Sequence, residues 1–168
     1  AWGHGSSGEN SDFFPTQNPW DPEKVAGGSS SGSAAVVSAG ELELTTGTDT
    51  CGSIRMPSSY CNVTGIKPTY GALSRYGLIA FASSLDCPGL MARSAKKLKD
   101  IFTKVAKIDP KDATTQSTQR NKHKPKPIKT IGVPKEFLQE GLDPKVKKLT
   151  LRAIEIFKKE GYKIKEIS

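Results

Sequence analysis

Two short stretches carry the residues that could do chemistry. The first is Gly27-Gly28-Ser29-Ser30-Ser31-Gly32-Ser33. The second is Gly47-Thr48-Asp49-Thr50-Cys51-Gly52-Ser53-Ile54-Arg55-Met56-Pro57. Both are rich in small residues and hydroxyls, and a short apolar segment separates them. Glycines permit tight turns and close approach, so backbone N–H groups are easily presented there. A serine hydroxyl is a poor nucleophile until a base takes its proton. The usual base is a histidine held by a carboxylate, and this sequence offers no credible pair. The alternative is a relay in which a second serine carries the proton to a neutral lysine. The Gly-Gly-Ser-Ser loop could present the carrier, and the Asp49–Ser53 turn the nucleophile. The N–H groups of residues 50–53 would then face a developing oxyanion. From the residues alone, two plain turns with no chemistry remain an equal reading.

Other chemistries find less support. The first loop runs into the small apolar residues Ala34 to Val37, and such a helix N-terminus suits an anion or oxyanion. It is not a P-loop, because no Gly-Lys-Ser/Thr follows. His4 stands between glycines with no acid at a useful spacing, and it reads as structural. Cys51, Cys61 and Cys87 are scattered, form no CxxC pair, and have only His4 and His123 to join them. That argues against zinc and for reduced thiols in an intracellular compartment.

The two stretches resemble the amidase signature family. Within it they are most similar to the branch of glutamyl-tRNA(Gln) amidotransferase A subunits. Further stretches support that branch: Gly5-Ser6-Ser7-Gly8-Glu9-Asn10-Ser11, Gly65-Ile66-Lys67-Pro68-Thr69-Tyr70-Gly71 with Ser74-Arg75-Tyr76-Gly77, Phe81-Ala82-Ser83-Ser84-Leu85-Asp86, and Ile131-Gly132-Val133-Pro134-Lys135-Glu136. The resemblance implies that Ser53 is the acyl-forming nucleophile and Ser29 the bridging serine on a cis peptide bond. It implies that Thr50, Cys51 and Gly52 belong with Ser53 to the oxyanion segment. Ser30, Asp49 and Arg55 match supporting positions near the site. Cys51 and Ser31 stand where the family usually has glycine. The family's catalytic lysine lies upstream of the Gly5-Ser6-Ser7 motif, and no lysine in this sequence matches it.

The same resemblance implies an amidase-signature α/β fold, with a mixed sheet flanked by helices on both faces. It implies a glutaminase that supplies ammonia for converting Glu-tRNA(Gln) to Gln-tRNA(Gln). The partners would be an amidotransferase B subunit, which uses ATP and Mg, and a small C-like or F-like subunit. This chain itself would bind no cofactor. A stand-alone amidase of the family and a non-catalytic assembly protein are the rival expectations. Residues 1–168 are expected to form the central part of one domain truncated at both ends, since Ala1 opens mid-pattern and Ile164 to Ser168 reads as a strand cut short.

Positioning these residues requires regular elements. Residues 1–26 read as an irregular loop pinned by buried Phe13, Phe14 and Trp20 among prolines. A buried helix is expected from a Ser33 cap to Gly40. Leu42 to Thr46 reads as a strand, Pro57 as the first position of a helical turn, and Val63 to Lys67 as a second strand. Ser94 opens an amphipathic helix with Leu98, Ile101, Phe102 and Val105 on one face. Residues 110–127 read as an exposed lysine- and proline-rich connector. Thr130 to Val133 is a strand. Asp143 caps a helix with Pro144 at its first position, an apolar face of Val146, Leu149, Ala153, Ile156 and Phe157, and Gly161 past its end. Tyr162 to Ile167 is the last strand. This alternation argues for α/β.

The 168 residues carry a formal net charge of +8, with 35% hydrophobic and 25% charged residues. Lys122, Lys124, Lys126 and Lys129 form one basic block, and Lys145, Lys147, Lys148, Lys158 and Lys159 decorate a helix. Few aromatics interleave with them, so a solvated surface is the reading. No apolar run is long enough to cross a bilayer. The lysine-rich surface and sparse cysteines suggest the mitochondrial matrix, with the cytoplasm of a bacterium as the alternative.

Overall fold

The computed structural model describes residues 3–115 and 127–168. The expectations for Trp2, for His123, and for Lys122, Lys124 and Lys126 within the connector lie outside those residues. The chain divides into two compact units, Ala1–Lys122 and His123–Ser168.

The first unit holds both serine stretches. Its three strands are β1 (Leu44–Asp49), β2 (Thr64–Ile66) and β3 (Cys87–Ala92). Their order is β1-β3-β2, and both pairings are antiparallel. The central strand β3 was not foreseen, because it begins Cys87-Pro88-Gly89, which reads as a turn. Proline is tolerated there because β2 pairs only with Leu90 to Ala92, so only β1 lies beside Pro88. β1 runs three residues beyond its expected end at Thr46, since Gly47, Thr48 and Asp49 pair with Gly89, Pro88 and Cys87. Part of the expected second loop is therefore strand.

Helix α1 covers Ser31–Ala39, so it starts before the expected Ser33 cap. Ser30 occupies the cap position, but its hydroxyl bonds Thr48 instead. Gly40 ends the helix in the left-handed conformation, as its sequence position suggests. Helix α2 spans Arg55–Tyr60, which places Pro57 third rather than first. Helix α3 spans Ala95–Val105, and Ser94 caps it by accepting from the Lys97 N–H at 3.3 Å. Leu98 is buried with Leu90 and Ala92, while Ile101 and Phe102 pack beside them. Val105 remains exposed, so the expected stripe is used over its first three positions. A second cluster joins Ala26, Ala34, Ile54, Cys61 and Met91. It ties α1 and β3 to the two residues that flank α2, Ile54 and Cys61.

The N-terminal loop is held differently from the expectation. Phe13, Phe14 and Trp20 are exposed. Asn18, which is buried, anchors the loop by donating to the carbonyls of Tyr60 at 2.9 Å and Val25 at 3.3 Å. The indole N–H of Trp20 donates to the Cys61 carbonyl at 3.1 Å, and its backbone N–H to Asn18 Oδ1 at 3.0 Å. A buried amide bonded to two carbonyls secures an irregular chain without apolar burial.

In the second unit, β4 (Thr130–Pro134) runs parallel to β5 (Lys163–Ile167). A 3-10 turn at Lys135–Leu138 and helix α4 (Pro144–Lys159) connect them. The Asp143 carboxylate caps α4 through the N–H groups of Lys145 and Val146, with Pro144 in the first turn. These elements match the sequence reading. The apolar face of α4 is not buried, however: Leu149 is 64% exposed and Phe157 45%.

Candidate active site

Backbone and hydroxyl hydrogen bonds join the two serine stretches. The Ser30 N–H donates to the Ser53 carbonyl at 3.1 Å. The Ser30 hydroxyl accepts from the Thr48 N–H and donates to the Thr48 carbonyl, both at 3.2 Å. Ser30 thus stitches the first loop to β1 and to the nucleophile candidate. A side chain on Gly47 would leave no room for this, since its Cβ would lie 2.7 Å from the Ser30 oxygen.

Ser53, Thr50, Cys51 and Gly52 line a cleft of about 410 Å³ together with His4, Gly5, Gly28 and Phe81. Ser29 lines a second cavity of about 270 Å³ that shares His4 and Gly5. The Gly28–Ser29 peptide bond is cis. Gly28 also approaches the N-terminal loop closely: a Cβ there would stand 2.7 Å from the Gly5 carbonyl oxygen. Gly28→Ala is therefore expected to displace the Gly5 backbone and cost about 1–3 kcal/mol, as overpacking typically does. Thermal unfolding of the full-length variant checks this, and an unchanged melting temperature would refute it.

Asp49 organises the turn before Ser53. Its side chain is fully buried at the end of β1. Oδ1 accepts from the Gly52 N–H at 2.8 Å, and Oδ2 accepts from the N–H groups of Ile54 at 3.1 Å and Arg55 at 3.3 Å. The Arg55 guanidinium adds a two-pronged contact, Nε to Oδ2 at 3.1 Å and Nη2 to Oδ1 at 3.0 Å. Helix α2 has no cap of its own, so Asp49 serves its first N–H groups from across the turn. Burial pushes the Asp49 carboxyl up. The bonds from Arg55, the Ile54 and Arg55 N–H groups and the Arg55 charge outweigh that and hold it below the usual carboxylate range. Gly52 has a φ of 144°, a conformation open to glycine. Its N–H is already engaged by Asp49, so of the expected oxyanion donors this one points into the protein.

The other foreseen residues are placed as follows. Cys51 is exposed in the cleft as a free thiol, whereas Cys61 and Cys87 are buried free thiols. Arg55 is on the surface, with its side chain 56% exposed. His4 reads as structural from its sequence neighbours, yet it lines the cleft and tilts against Phe81 with ring centroids 5.8 Å apart. The sequence reading gave no role to Asp86 or Phe81. Their stretch was visible as a motif, but only the β1–β3 pairing brings it to Thr50. Among the described residues, no group of three or more His, Cys, Asp or Glu is placed to hold a metal. Among the same residues, no helix is long and apolar enough to cross a membrane.

A family model for amidases matches residues 1–168. The chain belongs to the amidase family. It is 50% identical to the A subunit of glutamyl-tRNA(Gln) amidotransferase from Sulfurihydrogenibium sp. over 98% of this chain and 35% of that protein. The protein of the same name from Alkalilimnicola ehrlichii is 49% identical with the same coverage. The crystal structure of the glutamyl-tRNA(Gln) amidotransferase A subunit from Thermotoga maritima superposes with a TM-score of 0.87 at 37% identity, covering 99% of this chain and 38% of that one. Allophanate hydrolase from Kluyveromyces lactis matches with a TM-score of 0.84 at 34% identity, over 99% and 28%. The chain thus spans about a third of the length of the curated relatives it matches. Membership of this amidase family agrees with the α/β architecture and with the motifs that resemble the family.

Proposed function

We propose that the whole protein is the glutaminase subunit of a glutamyl-tRNA(Gln) amidotransferase. The observation that carries this is the 50% identity to a protein of that complex, sustained over 98% of the chain. The stitching of the Ser29 loop to the Ser53 turn supports it. In this reading the Ser53 hydroxyl attacks the side-chain amide carbon of glutamine, and its proton passes through Ser29 toward a lysine that no residue of this sequence matches. The proton returns by the same relay to the leaving nitrogen, the C–N bond breaks, ammonia leaves, and an ester forms on Ser53. Water then releases glutamate and restores the hydroxyl. N–H groups of Thr50, Cys51 and Ser53 face the oxyanion. This chain binds no cofactor. Glu-tRNA(Gln) is activated with ATP and Mg by an amidotransferase B subunit, and a small C-like or F-like subunit completes the complex.

The test is ammonia release from glutamine by the full-length protein with its partner subunits, with and without Glu-tRNA(Gln) and ATP. Release stimulated by the tRNA and ATP is expected. Release from simple amides without any partner would favour a stand-alone amidase instead. For location, the bacterial relatives favour the cytoplasm. The mitochondrial matrix rests on the lysine-rich surface and the sparse cysteines alone, and imaging a tagged full-length protein distinguishes the two.

A further inference from the structure

The reaction above assigns no task to the turn from Phe81 to Asp86, a motif of the sequence. Its geometry gives it one. Asp86 directly precedes β3, and Thr50 directly follows β1. The last backbone rung between these strands is Asp49 with Cys87. One position further on, the ladder is continued by side chains: the Thr50 hydroxyl donates to Asp86 Oδ1 at 2.5 Å. The same carboxylate accepts from the Phe81 N–H at 2.9 Å and, through both oxygens, from the Ala82 N–H at 3.1 Å. Asp86 is 7% exposed. Burial pushes its carboxyl up, but the Thr50 hydroxyl, the Ala82 and Phe81 N–H groups and the Arg75 charge outweigh that and hold it below the usual carboxylate range.

Phe81 and Thr50 both line the Ser53 cleft. The N-terminal loop approaches Phe81 closely, since a Cβ on Gly3 would lie 3.1 Å from the Phe81 Cβ. The far side of the turn is fastened separately. The Ser83 carbonyl accepts from the Tyr70 hydroxyl at 2.8 Å and from the Arg75 guanidinium. Arg75 in turn lies over the Tyr70 ring at 4.6 Å. Losing the Asp86 carboxylate therefore frees the inner edge of the turn and leaves its outer edge attached.

We propose that Asp86 is a positioning residue for the Ser53 site: through Thr50 it sets the oxyanion segment, and through the Phe81 and Ala82 N–H groups it fixes the Phe81 wall against that segment. The inference rests on the serine-amidase reading given above. Two buried carboxylates then hold the segment from opposite ends, Asp49 at Gly52 and Asp86 at Thr50. Transition-state donors are effective only when held in place beforehand, and a displacement of about 1 Å can cost about 100-fold in rate.

The test compares wild type, Asp86→Asn, Thr50→Val and the double variant, each as full-length protein in the assembled complex. Glutamine turnover is measured alongside the rate at which an alkyl fluorophosphonate labels Ser53. Asp86→Asn is expected to lower kcat and the labelling rate together by about 100-fold. The double variant is expected to be no slower than Asp86→Asn alone, since the hydrogen bond that Thr50→Val removes is among those Asp86→Asn disrupts. Thr50→Ser keeps the hydroxyl and is expected to recover most of the rate lost in Thr50→Val. Wild-type kcat and labelling in Asp86→Asn would overturn the proposal, as would losses that simply add in the double variant. If Asp86→Asn fails to fold, the pair Thr50→Val and Thr50→Ser decides, and equal rates in those two would overturn it. A wild-type complex showing neither turnover nor labelling would instead overturn the serine-amidase reading, and this inference with it.

Discussion

Ser53→Ala is expected to lower ammonia release from glutamine by at least about 10⁴-fold while the complex still assembles. The loss is large because the substitution removes the atom that forms the ester, and no neighbour supplies an equivalent in place. Cys51 shares the cleft, but it is another position of the same turn, with its own backbone direction. Assembly should survive because alanine preserves the parts of Ser53 used for structure. The Ser53 carbonyl still accepts from the Ser30 N–H, and Asp49 still holds the residues on either side. An ammonia assay beside size-exclusion chromatography of the complex reads both outcomes. Glutaminase activity retained in a correctly assembled variant would remove Ser53 from its role.

Asp49→Ala is expected to destabilise the protein by about 3–5 kcal/mol and to abolish turnover with it. Three N–H groups and the Arg55 guanidinium converge on that carboxylate inside the protein. Its removal leaves buried donors without an acceptor, and each such group costs about 1–3 kcal/mol. Losing the ion pair adds little, because the Arg55 left behind is largely in water. Arg55→Ala should cost less, because the Arg55 side chain is 56% exposed and Asp49 keeps its backbone donors. The sign of the pH dependence follows from the lowered carboxyl of folded Asp49. The folded state prefers the ionised form, so this stabilisation is complete above the unfolded value of about 4 and is lost as pH falls through the lower folded value. Asp49→Asn should therefore flatten the acid side of the stability profile. Urea unfolding of full-length wild type and variant from neutral pH down to about pH 3 tests this, and parallel profiles would argue against it.

Several features are legible in the sequence because they depend on local rules. Ser94 and Asp143 cap helices, Gly40 and Gly161 stand just past helix ends, and Pro144 fits a first turn. Each depends on the conformation and hydrogen bonding of a few neighbouring residues. Ser29 and Ser53 stand out because only small residues let a substrate reach backbone N–H groups. Assigning their chemistry needs the likeness to the amidase family, since the same residues also fit plain turns.

What stays hidden in the sequence depends on residues far apart in the chain. Strand β3 has no periodic signature, and its Cys87-Pro88-Gly89 start reads as a turn. It is a strand because β1 and β2 flank it, and Gly89 is needed because a side chain there would strike the Ile66 carbonyl. The Ser30 hydroxyl could have capped α1, but β1 offered the Thr48 N–H and carbonyl at the same distance. Phe13, Phe14 and Trp20 look buried in sequence, and only the packing decides that they are exposed. Sequence alone therefore determined which residues could react and where several helices begin and end, because those depend on side-chain type and nearest neighbours. Tertiary structure alone decided that Asp86 holds the Thr50 end of the Ser53 turn, because the β1–β3 ladder brings together two groups more than thirty positions apart.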